Sequence, residues 1–242
     1  MLNRLLHRLL YRTLPLESYL RVVSRLFFLS WRLGIGRRSA ATEYVYHLAE
    51  LVRPGDCCID IGANLGYYAR PMARLAGPDG RVYAVEPVPV IGRVLRRNLR
   101  GCGNVEVLPY ALGAENRTVA MGNDSARTTG YFGTGQNFIN ESGAATDVRF
   151  TAEMRRGTEL FAGLGRLDFV KCDVEGYEGV VLGELWPLIE RFRPTVLLET
   201  AGENRRQLAA RFAAAGYSAF TLEGGRRVPL TAESTKDIIF IP

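Results

Sequence analysis

Along the first 33 positions the apolar residues fall at helical spacing. Leu5, Leu6, Leu9 and Leu10 form one such run, with Arg4, Arg8 and Arg12 stacked along a neighbouring stripe. Pro15 interrupts it, and a second run from Glu17 to about Leu33 has Leu20, Val23, Phe27 and Trp31 on its apolar side, flanked by Arg21, Arg25 and Arg32. From residue 41 the pattern changes to short apolar blocks separated by helices of about ten residues. A helix is predicted over Glu43–Val52, stopped by Arg53-Pro54-Gly55-Asp56, and Cys57–Ile61 reads as a buried strand. Strands at Arg81–Val85 and Val105–Leu108 alternate with helices at Tyr67–Leu75 and Val90–Leu99. Further strands are predicted at Leu167–Cys172, Val196–Glu199, Ser218–Leu222 and Asp237–Ile241, with helices at Leu182–Arg191 and Arg205–Ala215. Such alternation implies right-handed crossovers and a mainly parallel α/β sheet with both faces covered. Residues 122–157 are rich in Gly, Ser, Thr and Asn. They are expected to form a substrate-side hairpin or lid carrying Tyr131, Phe132 and Gln136, or else a plain hairpin at the sheet edge.

Composition narrows the class. A chain of 242 residues, 47% apolar and 23% charged, suits one globular domain with an appendage. The division expected is a basic helical arm over 1–40 and a body over 41–242. Four cysteines without a CxxC pair exclude a disulfide scaffold or a thiolate zinc site, and fit reduced thiols in a cytoplasmic protein. The net charge of +6 is concentrated at one end. Residues 1–40 hold eight Arg against Glu17 alone, leaving 23 basic and 24 acidic groups to the rest of the chain. The longest charge-free, strongly apolar stretch there, Leu26–Trp31, is six residues, against the roughly 20 that a membrane span needs. Two readings of the arm stand. It packs its apolar face on the body or on a second subunit in a homodimer, or residues 1–33 lie on an anionic membrane as a peripheral contact. Nucleic acid is not expected, because the body is neutral and the basic face lacks interleaved stacking aromatics.

Ligands of parallel sheets bind where strands end. The first strand ends in Asp60-Ile61-Gly62-Ala63-Asn64-Leu65-Gly66. Two glycines four apart allow a tight turn and close backbone approach to a ligand. A dinucleotide-binding turn normally has glycine where Asn64 stands, and Asp60 would repel phosphate. Glu86 closes the second strand, 26 residues after Asp60, where a carboxylate accepts both ribose hydroxyls. A ribose, a cationic centre and no phosphate point to S-adenosylmethionine, and so to methyl transfer ahead of NAD-dependent hydride transfer.

The strings Asp60-Ile-Gly-Ala-Asn-Leu-Gly-Tyr-Tyr68, Glu86-Pro87, Ala111-Leu112-Gly113 and Lys171-Cys-Asp173-Val-Glu175-Gly176-Tyr-Glu178 together resemble the FkbM-type methyltransferases, over roughly residues 41–242. The resemblance implies a Rossmann-like, class I methyltransferase fold with a mainly parallel seven-stranded sheet. It also implies O-methylation of a sugar hydroxyl on a glycan, glycolipid or natural product. The expected cofactor-binding set is Asp60, Gly62, Ala63, Asn64, Gly66, Glu86, Pro87 and Ala111.

Methylating an alcohol calls for a base, and His7 and His47 are the only histidines. A carboxylate is therefore expected. Lys171, Asp173 and Glu175 alternate at the end of the fourth strand and share a face while the chain stays extended. Asp173 is expected as base, Glu175 beside the cofactor's amino group or the substrate, and Lys171 keeping Asp173 ionised or touching the substrate oxygen. A purely structural Lys171–Asp173 pair is the alternative. A divalent ion shared by Asp173 and another acid has no local His/Asp cluster to support it. Glu199 closes the fifth strand, and Ala201 stands where many members of the family have His. A catalytically degenerate, partner-binding domain thus remains a further alternative.

Overall fold

The computed structural model describes residues 4–242; the first three residues of the expected arm lie outside it. The arm folds as α1 (Arg4–Thr13) and α2 (Leu16–Arg32), broken at Pro15. Then follow α3 (Glu43–His47), β1 (Cys57–Ile61), α4 (Ala69–Ala76), β2 (Arg81–Val85), α5 (Pro89–Asn98) and β3 (Val105–Leu108). A smaller unit intervenes: β4 (Tyr110–Leu112), β5 (Arg117–Asn123), α6 (Ser125–Thr129), β6 (Phe138–Ile139), β7 (Val148–Arg155) and α7 (Gly157–Leu160). The chain then returns through β8 (Phe169–Cys172), α8 (Glu178–Glu184), α9 (Trp186–Phe192), β9 (Thr195–Leu198), α10 (Gly202–Ala214), β10 (Ser218–Glu223), β11 (Arg226–Pro229) and β12 (Ile238–Ile241).

The main sheet runs β11-β10-β12-β9-β8-β1-β2-β3. β3, β2, β1, β8 and β9 are parallel, while β12 runs antiparallel to both β9 and β10. All five residues of β1 are buried, which is why that strand reads as an apolar block interrupted only by Asp60. Successive side chains serve opposite layers. Ile59 and Ile61 join Trp186, Phe212 and Phe240 on one face, whereas Cys58 packs with Met72, Leu95 and Phe169 on the other. All four cysteines are free thiols, three of them buried.

The expected seven strands are eight. Gly224 and Gly225 both have positive φ (58° and 79°) and turn β10 back into β11. The helix expected over Leu182–Arg191 is two, α8 and α9, with Pro187 in the first turn of α9. Pro187 has no N–H for a continuous ladder, so the helix restarts there. The stretch expected as a hairpin or lid belongs to a separate four-stranded sheet, ordered β4-β7-β5-β6.

This second sheet, α5 and the arm share a third core. Tyr19 and Leu20 of α2 are buried in it with Val88, Ile91, Met121, Phe132 and Met154. On the arm, α1 contributes Leu10 and Tyr11 to the edge of that core. Glu17 pairs with Arg21 and with Arg93 of α5, the latter at 2.9 Å.

Candidate active site

The parallel strands β8, β1 and β2 end side by side, and a crevice with about 600 Å³ of open space lies beyond their carboxyl ends. The floor is the turn after β1. Gly62 sits at φ +78°, and a Cβ there would lie 1.9 Å from the Asp173 carbonyl oxygen. Only glycine lets the exits of β1 and β8 approach so closely. Asn64 follows in the left-handed region (φ 52°), its side-chain oxygen accepting the Leu65 N–H at 2.8 Å.

Glu86, buried at the end of β2, faces this turn. Its Oε2 accepts the Asn64 N–H at 2.9 Å and its Oε1 accepts the Val88 N–H at 2.8 Å. The two bonds hold the carboxylate in one orientation while leaving each oxygen a further lone pair. Burial pushes its pKa up to about 7, against the pull of those two N–H groups. A ribose diol would occupy the free lone pairs, and Val85, Val88, Leu112 and Ile139 supply apolar wall for a base. These residues fit an adenosine ligand without phosphate.

The charged residues at the end of β8 and just beyond it divide into two kinds. Lys171 is buried and donates to Asp173 Oδ2 at 2.8 Å, with its ammonium 4.8 Å above the Tyr68 ring. Burial opposes that charge, yet Asp173 and Asp60 hold the lysine pKa above its usual value. Glu175 is solvent-accessible at the crevice mouth, held at φ +53° and without a hydrogen bond or ion pair among the described residues. Partial burial and the carboxylates of Asp173 and Glu178 push it up to about 7. Glu199 at the end of β9 is raised to about 8 by partial burial, Asp173 and Asp237, and lies outside the crevice lining.

A second, more open groove adjoins the first. Asp124, Ser125, Thr128, Gln136 and Phe138 line it, and Glu175 belongs to both. The wall between the cavities is residues 133–137. Asn123 Nδ2 donates to the Gly133 carbonyl at 2.9 Å and to Asn137 Oδ1 at 3.0 Å, while the Gly133 N–H donates to Ser125 Oγ at 2.7 Å. The arm braces the approach to this wall. The Tyr19 hydroxyl donates to the Phe132 carbonyl at 3.1 Å, Arg8 Nε donates to the Thr129 carbonyl at 2.7 Å, and His7 stacks on Tyr131 at 4.7 Å.

Of the expected site residues, Gly62, Asn64, Glu86, Pro87, Ala111, Asp173 and Glu175 line the crevice. Ala63 and Gly66 shape the turn without lining it; the Ala63 N–H donates to the Val85 carbonyl at 2.9 Å. Asp60 differs from expectation. Its side chain is fully buried in β1 and is not part of the crevice lining. Burial raises its pKa to about 6, and Lys171 opposes that rise. Lys171 likewise is not part of the crevice lining and donates to the Asp173 carboxylate, as one of its two expected roles requires. Phe132 is entirely buried against the arm's core and is unavailable to an acceptor, whereas Gln136 does line the groove. Met121, Thr134, Asn137, Ile139 and Tyr177 also line the crevice and are not among the expected residues. Among the described residues no three His, Cys, Asp or Glu side chains are grouped to hold a metal ion.

Comparison with known proteins agrees with this layout. The family model described as the methyltransferase FkbM domain matches residues 60–219. The crystal structure of the methyltransferase FkbM from Methylobacillus flagellatus KT superposes with a TM-score of 0.51 and 15% identity, covering 82% of this chain and 50% of that one, a likeness of fold. The protein-L-isoaspartate O-methyltransferase of Ignicoccus hospitalis is 34% identical over 95 residues, 38% of this chain and 40% of the relative. That of Aeropyrum pernix is 35% identical over 83 residues, 34% and 32% of the two chains. The matches to these curated relatives thus span well under half of their length.

Proposed function

The chain belongs to the FkbM methyltransferase family, and from that premise we propose that it transfers the methyl group of S-adenosylmethionine to a hydroxyl oxygen of a sugar-bearing acceptor, with Glu175 as the base. The cofactor, when bound, supplies an electrophilic methyl on a positively charged sulphur. Glu86 would hold the ribose through its two free lone pairs, and the turn from Gly62 to Asn64 would offer backbone to the amino-acid tail. The observation that carries the acceptor assignment is the position of Glu175, a carboxylate common to the donor crevice and the polar groove.

A base near pKa 7 is half-ionised at neutral pH and is strong enough to take a proton as the alcohol attacks, an effect of about 10²–10⁴-fold. Asp173 suits that task less well, because one of its oxygens is already engaged by the Lys171 ammonium at 2.8 Å. Lys171 is accordingly a positioning residue: it fixes the Asp173 carboxylate at 2.8 Å, and Asp173 in turn raises Glu175. The groove offers hydroxyl, amide and carboxylate groups beside one aromatic ring, Phe138, the mixture that a sugar's polar edge and apolar face require.

The curated relatives are named for methylation of isoaspartate, a carboxyl acceptor. A carboxylate needs no base and would be repelled by Asp124, Asp173 and Glu175, which favours a neutral hydroxyl here. Calorimetry with S-adenosylhomocysteine and NAD, followed by mass spectrometry of a cell extract given isotope-labelled S-adenosylmethionine, tests the proposal. Binding of the first ligand alone and a labelled methyl on a carbohydrate component is the expected result. Binding of NAD, or a label confined to protein carboxyl groups, overturns it.

A further inference from the structure

We propose that the outer face of the arm docks on an anionic phospholipid surface. Six of the seven large apolar side chains left exposed among the described residues lie between positions 5 and 35, namely Leu5, Leu6, Leu9, Leu29, Leu33 and Ile35, at 40–69% exposure. They are interleaved with exposed arginines. On α1, Leu5, Leu9 and Arg12 fall in one line, and on α2 Arg25, Leu29 and Arg32 share a stripe that Leu33, the residue capping the helix, extends. The opposite faces are committed to the body, through Leu10 and Tyr11 on α1 and Tyr19, Leu20 and Phe28 on α2.

Charge selects the partner. Over residues 1–40 the only acid is Glu17, and it is already paired with Arg21 and Arg93. Arg4, Arg12, Arg25, Arg32 and Arg38 are exposed and make no ion pair among the described residues. A second copy of the chain joined about a twofold axis would set this cationic face against itself, with no acids to pair it. Nucleic acid would meet the arginines but leave the leucines in water. Lipid headgroups meet both demands: phosphates take the guanidinium groups, and the leucines enter the boundary of the acyl chains. The same helices hold residues 129–132 through Arg8 and Tyr19, so the docked surface is mechanically joined to the groove wall.

Flotation of the full chain with phosphatidylcholine vesicles, with and without phosphatidylglycerol, tests this without any methyl acceptor. The expected result is flotation with the anionic vesicles, at least about tenfold weaker with neutral ones or in high salt. A triple variant Leu9→Glu/Leu29→Glu/Leu33→Glu and a second, Arg12→Glu/Arg25→Glu/Arg32→Glu, each lose at least about tenfold in partitioning, because both the apolar and the charged contributions are needed. Unchanged S-adenosylhomocysteine binding and far-ultraviolet dichroism show that the variants remain folded. Equal flotation with neutral vesicles, or charge-reversed protein that floats like the wild type, overturns the proposal. So does a dimer in sedimentation velocity that either variant converts to monomer, since the face would then lie between two copies.

Discussion

Around Glu86 the polar contacts are to backbone, from the N–H groups of Asn64 and Val88 on either side of one carboxylate. Around Gln136 the wall is held by side chains from distant positions: Asn123 and Ser125 on Gly133, and Tyr19 of the arm on Phe132. The donor side is thus built from two short turns at neighbouring strand ends, rigid because the strands beneath are buried. The acceptor side is assembled from the second sheet and α2, elements more than 100 residues apart in the chain at Tyr19 and Phe132. The first arrangement suits a ligand that never changes; the second can be re-lined without disturbing the first.

Perturbing the two sides should separate them. Glu175→Gln keeps shape and removes the base, so kcat should fall about 10²–10⁴-fold with S-adenosylhomocysteine affinity altered less than about threefold. In the wild type kcat should rise with pH as Glu175 ionises, through about pH 7. Equal losses in kcat and donor affinity would show that the two sides are not independent. Gly62→Ala should destabilise the fold by roughly 2–5 kcal/mol in chemical denaturation, since it adds a strained φ and a clash with the Asp173 carbonyl.

The raised carboxyl groups give a pH signature of the donor side. Between the unfolded pKa of Glu86, near 4.5, and its folded value of about 7, the folded protein holds a proton that the unfolded chain lacks. Stability of the ligand-free protein therefore falls as pH rises through that window, and Glu86→Gln should flatten the slope by on the order of 1 kcal/mol per pH unit. Asp60 and Asp237, each raised to about 6, add slope of the same sign and persist in that variant. The smallest effect belongs to Tyr19→Phe. Loss of its bond to the Phe132 carbonyl should cost about 1 kcal/mol in stability and raise the KM for acceptor while leaving donor affinity unchanged.

The same contrast explains what could be read from the chain alone. The Asp60–Gly66 turn and Glu86 are local signals at the ends of apolar blocks, and both fall where expected relative to the sheet. The depth of Asp60 and Lys171 was not readable, because residue type and spacing do not say which side of a strand end faces a ligand and which faces a partner carboxylate. The second sheet did carry a signal. In β7, Val148, Phe150, Ala152 and Met154 alternate with Arg149, Thr151, Glu153 and Arg155, the inner set being less exposed. Flanking Gly, Ser and Asn residues concealed that alternation, as the two glycines at 224–225 concealed a hairpin. Glu175 gave no clue to its left-handed backbone, which turns it away from the extended line of Lys171 and Asp173.

A crystal structure with S-adenosylhomocysteine in the crevice tests the central claim most directly. The account predicts both ribose hydroxyls within hydrogen-bond distance of Glu86, with the sulphur facing the gap beside Glu175. Ligand bound elsewhere on the molecule, or a ribose that makes no contact with Glu86, would contradict it.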